Sequence, residues 1–364
     1  MNKKAAILPV VTFALAGLIL SGCSAAAPEA EKPSGAAALT PVTLTLPAPA
    51  SLESVVYDCV PMMEGYFEDE GLDVTVEIAE GSVLALQSLE TGSSDVVVVG
   101  TSPLMSGISA GSTAKAFASV VTGSYAYPAV LPDSSIKSFL DLQGKTVGVP
   151  SLQSGSIPFT KGLVALAGGD PKTVEFLPTG FGAPALAALQ GGQVDALGLW
   201  DTAYEVIKGL GQDLRYIESK ESKSLGFQVV YAAKSGWIDE NPKIALGMTR
   251  AMNKAYVFAT ANPEAALQDC WDEYPNLIPT GVDEDKARED GLAAVNARLG
   301  ASGPVDGLYG FSTDAQVQTF YSLQVAAGTV RPGITVDQLW TDKFAKDAND
   351  FDVDAIKEAA AAKK

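Results

Sequence analysis

Two stretches of this chain align in register at a spacing of 100 positions, and that repeat constrains the fold more than any other feature of the sequence. Leu86, Leu89, Gly92 and Asp95 share an L-x-x-L-x-x-G-x-x-D frame with Leu186, Leu189, Gly192 and Asp195. Upstream, Thr75, Val76, Glu77 and Ile78 are echoed by Thr173, Val174, Glu175 and Phe176. Leucines three apart turn one helix face toward a sheet, the glycine closes the helix, and the aspartate opens a buried apolar strand. A frame of this length that recurs in register predicts two similar lobes.

The surrounding pattern agrees. Short β-rich runs at residues 42–46, 73–79 and 96–99 alternate with helical runs at 52–70 and 83–89. The same grammar returns as strands at 145–149, 173–177 and 196–199 and helices at 159–167 and 184–189. Such alternation predicts an α/β fold with two largely parallel-sheet lobes joined by a hinge. Residues 116–130, with Gly123, Ser124, Tyr125, Ala126, Tyr127 and Pro128, and residues 226–232 are the expected crossings. They divide the chain into a first lobe of residues 42–127 plus 229–364 and a second lobe of residues 128–228. After Trp237 the chain becomes helical, near 244–261, 263–274, 285–299, 314–327 and 350–361, and this tail is expected to pack mostly on the first lobe.

Composition excludes whole classes of function. The 364 residues are 47% hydrophobic and 19% charged, enough to bury a large core. Acidic residues outnumber basic ones 43 to 25, for a formal charge of -18, so no basic face is available to displace counterions and nucleic acid is not an expected partner. The chain contains no histidine. That removes Ser-His-Asp and Cys-His relays, His-ligated zinc and imidazole proton shuttles. Neither a metal nor an organic cofactor is expected.

The first residues read as an address. Lys3 and Lys4 precede a run of apolar and small residues from Ala5 to Leu20, which predicts a signal peptide over residues 1–22. The run ends in Leu20, Ser21, Gly22 and Cys23, which resembles a bacterial lipobox and implies lipidation at Cys23. Residues 23–41, rich in Ala, Pro, Glu and Ser, form the expected tether, so the lipid is the only expected contact with the outer face of the cytoplasmic membrane. No later stretch has the 18 or so uncharged residues that span a bilayer. Export would place Cys59 and Cys270 where disulfides persist, leaving either a bridge between them or two separate buried thiols.

Beyond the lipobox, the chain carries Gly65-Tyr66-Phe67, Glu70-Gly71-Leu72-Asp73-Val74, a Gly81-Ser82 loop before a helix, the repeated Leu-Gly-Asp frame, and Asp141-Leu142-Gln143-Gly144-Lys145-Thr146-Val147-Gly148-Val149. Together these resemble the nitrate, sulfonate, taurine and thiamine-precursor group of solute-binding proteins that serve ATP-binding-cassette importers. The resemblance covers residues 42–230 well and the helical tail poorly. It implies a type II periplasmic-binding-protein-like fold, a monomer that captures a small molecule between its lobes, and a permease with its ATPase as partners.

Within that frame the candidate ligand contacts are strand ends that run into helix N-termini, where free N–H groups donate to ligand oxygens. In the first lobe these are Gly81, Ser82, Thr101 and Ser102, with Tyr57 and Asp58 facing the cleft if the first helix begins near Leu52. Ser151, Ser154 and Ser156, then Gly180, Phe181, Gly182, Trp200, Asp201 and Thr202, are the second-lobe counterparts, and Tyr125 lies in the first crossing. None of the five arginines falls on these loops, whereas Asp58 and Asp201 adjoin Tyr57 and Trp200. An aromatic beside a carboxylate suits a nitrogen-bearing ring such as a pyrimidine. A sulfonate, taurine or nitrate site, a ligand-sensing surface lipoprotein, and an enzyme using Asp58 and Asp201 are the alternatives.

Overall fold

The structure, a computed structural model, describes residues 38–49 and 51–363. Numbering strands and the helices of nine residues or more, the first lobe contains β1 (Thr40–Leu46), β2 (Leu72–Ile78), α1 (Ser82–Thr91), β3 (Val96–Gly100), α2 (Thr101–Ser109) and β4 (Ala114–Val121). The second contains β5 (Ala126–Val130), β6 (Thr146–Val149), α3 (Ser156–Leu166), β7 (Glu175–Pro178), α4 (Gly182–Gln190), β8 (Ala196–Trp200), α5 (Asp201–Gly209) and β9 (Arg215–Tyr216). The chain then returns through β10 (Val229–Lys234) and ends in α6 (Pro242–Ala261), α7 (Pro263–Glu273), α8 (Glu284–Ala301), α9 (Asp314–Ala326) and α10 (Val353–Ala362).

The repeat frame has a specific physical job. Asp95 Oδ2 accepts the Thr43 N–H at 2.9 Å, while the Asp95 N–H donates to the Thr43 carbonyl at 3.0 Å. In the second lobe, Asp195 Oδ2 accepts the Thr146 N–H at 2.9 Å and its N–H donates to the Thr146 carbonyl at 2.8 Å. Each aspartate therefore clasps the entry of one central strand to its neighbour. Gly92 (φ 77°) and Gly192 (φ 68°) supply the left-handed turns that bring the chain back to the sheet.

The two sheets have matching strand orders, β2-β1-β3-β10-β4 and β7-β6-β8-β5-β9. The two neighbours of β1 and of β6 run parallel to them, as expected for crossovers through helices. The sheets are nevertheless mixed, which corrects the expectation of parallel sheets: β10 runs antiparallel to β3 and β4, and β5 antiparallel to β8 and β9. The cause is the exchange of strands between lobes, since a chain that leaves one sheet and enters the other without a covering helix arrives in the opposite sense. Much of the stretch expected as a long first crossing is strand, and the crossing itself is only residues 122–125. The return crossing runs from residue 217 to 228 and holds Phe227 at φ 57°, with its ring buried edge-on against Trp340 at 5.3 Å.

The tail does more than cover the first lobe. Glu70, from the Glu70-Gly71-Leu72 segment, accepts Arg250 Nη1 at 2.9 Å and Lys254 Nζ at 3.0 Å, fixing α6 against that lobe. The sulfurs of Cys59 and Cys270 are bonded, with the Cα atoms 4.8 Å apart, which joins α7 to the short helix Cys59–Met63. By contrast, α9 packs on the second lobe, where Phe320 stacks on Phe159 of α3 at 6.0 Å and 7°, and α8 lies along α5. Of the tail, α6 and α7 pack on the first lobe and α10 packs on α6, whereas α8 and α9 also reach the second lobe. The helical run expected at residues 52–70 is also broken, because Gly65 sits at φ 69° between two short helices.

Candidate functional site

The carboxyl ends of the central strands of both sheets open onto one cleft of about 330 Å³. This is where open α/β sheets leave unfilled space and unpaired helix N-termini. From the first lobe come Pro47 to Pro49 after β1, Glu53 and Tyr57 on the following turns, Gly81 and Ser82 at α1, and Thr101 and Ser102 at α2. From the second come Ser151 and Ser154 before α3 and Ser156 at its start, Phe181 before α4 and Trp200 at the end of β8, with Tyr125 at the crossing. The two lobes meet closely at one rim. A Cβ on Gly81 (φ 119°) would lie 2.6 Å from the Gln153 carbonyl oxygen, so only glycine fits there.

The hydroxyls divide by whether the protein already uses them. Thr101 is fully buried, its Oγ1 donating to the Phe227 carbonyl at 2.7 Å, so it ties α2 to the return crossing. Ser82 Oγ accepts the Gly100 N–H at 3.3 Å. Ser154 Oγ donates to Ser156 Oγ and accepts its N–H, both at 3.1 Å, and Ser151 Oγ accepts the Gln153 N–H at 3.2 Å. Ser102 Oγ is different: it is buried on the cleft wall and has no hydrogen-bond partner among the described residues. A buried hydroxyl without a partner costs about 1–3 kcal/mol, which a bound ligand offsets by completing the bond.

The two carboxylates singled out in the sequence do not line the cleft, which corrects that reading; each engages one oxygen within the protein, while Asp58 Oδ2 and Asp201 Oδ2 are buried without a hydrogen-bond partner among the described residues. Asp58 is buried behind the cleft, where its Oδ1 accepts the Tyr274 hydroxyl at 2.9 Å. Burial pushes its carboxyl up to about 7, against the lowering effect of that bond. Asp201 begins α5 but turns away from the cleft, its Oδ1 accepting Arg298 Nη2 and the Thr202 N–H, each at 2.8 Å.

The cleft instead receives Glu53 and Arg298. Arg298 reaches it from α8, fully buried, with Nη2 3.7 Å from Glu53 Oε2 and its guanidinium carbon 5.1 Å from the centre of the Tyr125 ring. Burial raises the Glu53 carboxyl to about 7; Arg298 opposes that rise and Asp201 adds to it. Burial likewise raises Asp201, with Arg298 again opposing. Burial thus favours the protonated form of Glu53 in the cleft, where the carboxyl donates a hydrogen bond when neutral and accepts one when ionised. Tyr57, Tyr125, Phe159, Phe181, Trp200 and Phe320 supply aromatic wall.

Arg298 carries a sequence signal of its own, away from the strand-end loops. Gly291, Ala294, Val295, Arg298 and Leu299 fall on one helical face, and an arginine within such a buried stripe demands a carboxylate partner. Glu53 lies in the segment after β1, a strand end like those that carry the other cleft residues.

The sequence profile described as NMT1/THI5 like matches residues 60–266. A binding protein of Brucella abortus (strain 2308) is 26% identical over 210 residues, covering 56% of this chain and 63% of that relative. The chain thus matches less than two thirds of the length of these curated relatives. Among solved structures, a protein from Bordetella bronchiseptica RB50 superposes with a TM-score of 0.66 at 22% identity, over 85% of this chain and 96% of that one. The periplasmic aliphatic sulphonate binding protein SsuA from Escherichia coli gives 0.60 at 17% identity, over 82% and 97%. The desulfurization enzyme DSZB gives 0.51 at 16%, over 84% and 98%. These structural likenesses establish the shared periplasmic-binding-protein fold.

Proposed function

The chain belongs to the NMT1/THI5-like family, and from that premise we propose that it is an extracytoplasmic solute-binding protein, not an enzyme, that closes its two lobes on a small molecule and delivers it to an ATP-binding-cassette permease. The observation that carries this reading is the shared cleft, walled by strand ends of both lobes and holding a buried serine hydroxyl with no partner among the described residues. Lobe closure around such a site brings both walls onto one ligand and presents a single closed surface for docking. The sheet of β1 to β4 with β10 is the core of one lobe and the sheet of β5 to β9 the core of the other.

The ligand class in this reading is a small, planar, nitrogen-bearing ring of pyrimidine type. Aromatic side chains flank the cleft, Ser102 Oγ is unpaired, and Glu53 accepts a ring N–H or amino group when ionised. A sulfonate, taurine or nitrate is the second reading, favoured by the N-termini of α1 and α2, which have no side-chain caps. Calorimetry with aminopyrimidines, amines, taurine, alkanesulfonates and nitrate separates them. We expect an aminopyrimidine to bind, and Glu53→Gln to weaken it by about tenfold or more through loss of a charge-assisted hydrogen bond. Tight binding of nitrate or a simple alkanesulfonate, with Glu53→Gln neutral, overturns the ring assignment in favour of the anion.

Cys23 lies outside the described residues, and lipidation there is part of the same proposal, resting on the Leu20-Ser21-Gly22-Cys23 segment. Cys23→Ala should release the protein from the membrane fraction. Unchanged membrane retention and unchanged processing overturn the anchor.

A further inference from the structure

A second groove adjoins the cleft. It has a volume of about 420 Å³ and shares Ala48, Pro49, Phe181 and Trp200 with the cleft. Phe181 meets Trp200 edge-on at 5.2 Å and 71°, so the two rings form a common partition open to both sides. Beyond them the wall is apolar: Val206 and Leu210 at α5, Trp271 from α7, and Leu277 and Val282 from the segment leading to α8. Phe181 is 39% exposed, Val206 and Leu210 are each 52% exposed, and Val282 is 45% exposed. A cluster of exposed large apolar side chains at the mouth of a ligand site marks a surface that something apolar covers. The charged side chains of the groove, Lys286 and Asp290, pair with one another.

We infer that this groove is a second subsite of the same binding site, taking the apolar tail of an amphipathic solute whose polar ring lies in the cleft. The inference rests on the cleft reading above and extends it. The cleft and the groove abut at Ala48, Pro49, Phe181 and Trp200, and Phe181 is 39% exposed, so one molecule crossing its edge touches both spaces; pairing of Lys286 with Asp290 leaves no unpaired charge among the described groove residues to recognise a polar tail. The occupant is therefore a short alkyl or aryl substituent, uncharged along its length.

The test is calorimetry of the full-length chain with 4-aminopyrimidines carrying a 5-alkyl chain of one to eight carbons. Each methylene that enters the groove should tighten binding about three- to fourfold, the transfer equivalent of burying it. Val206→Asp with Leu210→Asp alters two half-exposed side chains outside the cleft. This variant should leave the methyl compound within about twofold of wild type and flatten the dependence on chain length. Equal affinity across the series in the wild type overturns the groove and retains the cleft. A slope unchanged in the variant also overturns it. Long-chain binding that depends on Val206 and Leu210, with no binding of the methyl compound, retains the groove and overturns the ring assignment, and silence at every length overturns both. A concentration-dependent dimer abolished by the same variant, with no chain-length dependence, gives the groove to a second copy and overturns the ligand subsite.

Discussion

Arg298→Met is expected to destabilise the folded protein by about 3–5 kcal/mol, the range for breaking a buried ion pair from one side. The substitution keeps much of the side-chain volume but leaves Glu53 and Asp201 buried without their shared cation. Urea unfolding followed by tryptophan fluorescence measures the loss. Adding Glu53→Gln and Asp201→Asn to the Met variant should recover most of it, because the cost lies in the stranded carboxylates rather than in the missing arginine. A loss below about 1 kcal/mol, or no recovery in the triple variant, contradicts this account. The pH dependence has a definite sign. Burial raises Glu53 in the folded state to about 7 from its ordinary value, so between roughly pH 4.5 and 7 the folded chain holds a proton that the unfolded chain has lost, and stability falls as pH rises. Without Arg298 both carboxyls rise further. The deficit of the Met variant should therefore widen from pH 5 to pH 8.

The contrast between Arg298 and the repeat shows which parts of this fold were legible in sequence. Asp95 and Asp195 make the same local bonds to the strand beside them, so a ten-residue frame was enough to reveal both lobes. The Asp141–Val149 segment is similarly self-contained. Asp141 Oδ2 accepts the Lys137 and Ser138 N–H groups at 2.8 and 2.9 Å, and a Cβ on Gly148 would strike Leu197 at 2.9 Å. That segment builds the second lobe and does not contact the cleft, which is why it predicted fold well and ligand poorly. The strand-end serines and Trp200 reached the cleft because their position follows from parallel βαβ geometry alone. Asp58 and Asp201 did not, because Tyr274 and Arg298, the groups that bond to them, lie more than 90 residues later in the chain. Strand polarity failed for a related reason: the direction in which β5 and β10 enter their sheets depends on the crossings between lobes, not on any pattern within the strands.

Replacing Cys59 and Cys270 together by alanine should cost a further 3–5 kcal/mol or so, since the bridge spans a sequence separation of 211 and removes much of the freedom of the unfolded chain. The wild type unfolded in reductant should approach the double variant, and near-equal midpoints with the bridge intact and removed contradict the expectation. The bridge also bears on the cleft. It holds α7, and α8 packs so tightly on α7 that a Cβ on Gly291 would lie 2.8 Å from Leu267. Arg298 sits two turns further along α8, so the position of its guanidinium between Glu53 and Asp201 depends on where α7 is held. Losses from Arg298→Met and from the cysteine pair should accordingly be less than additive in a double-mutant cycle, because releasing α7 already loosens the ion cluster. Ligand affinity should fall in the cysteine variant although neither sulfur borders the cleft. Strict additivity with unchanged affinity would mean that α8 is positioned by its contacts with α5 alone, and that the bridge acts only on the unfolded chain.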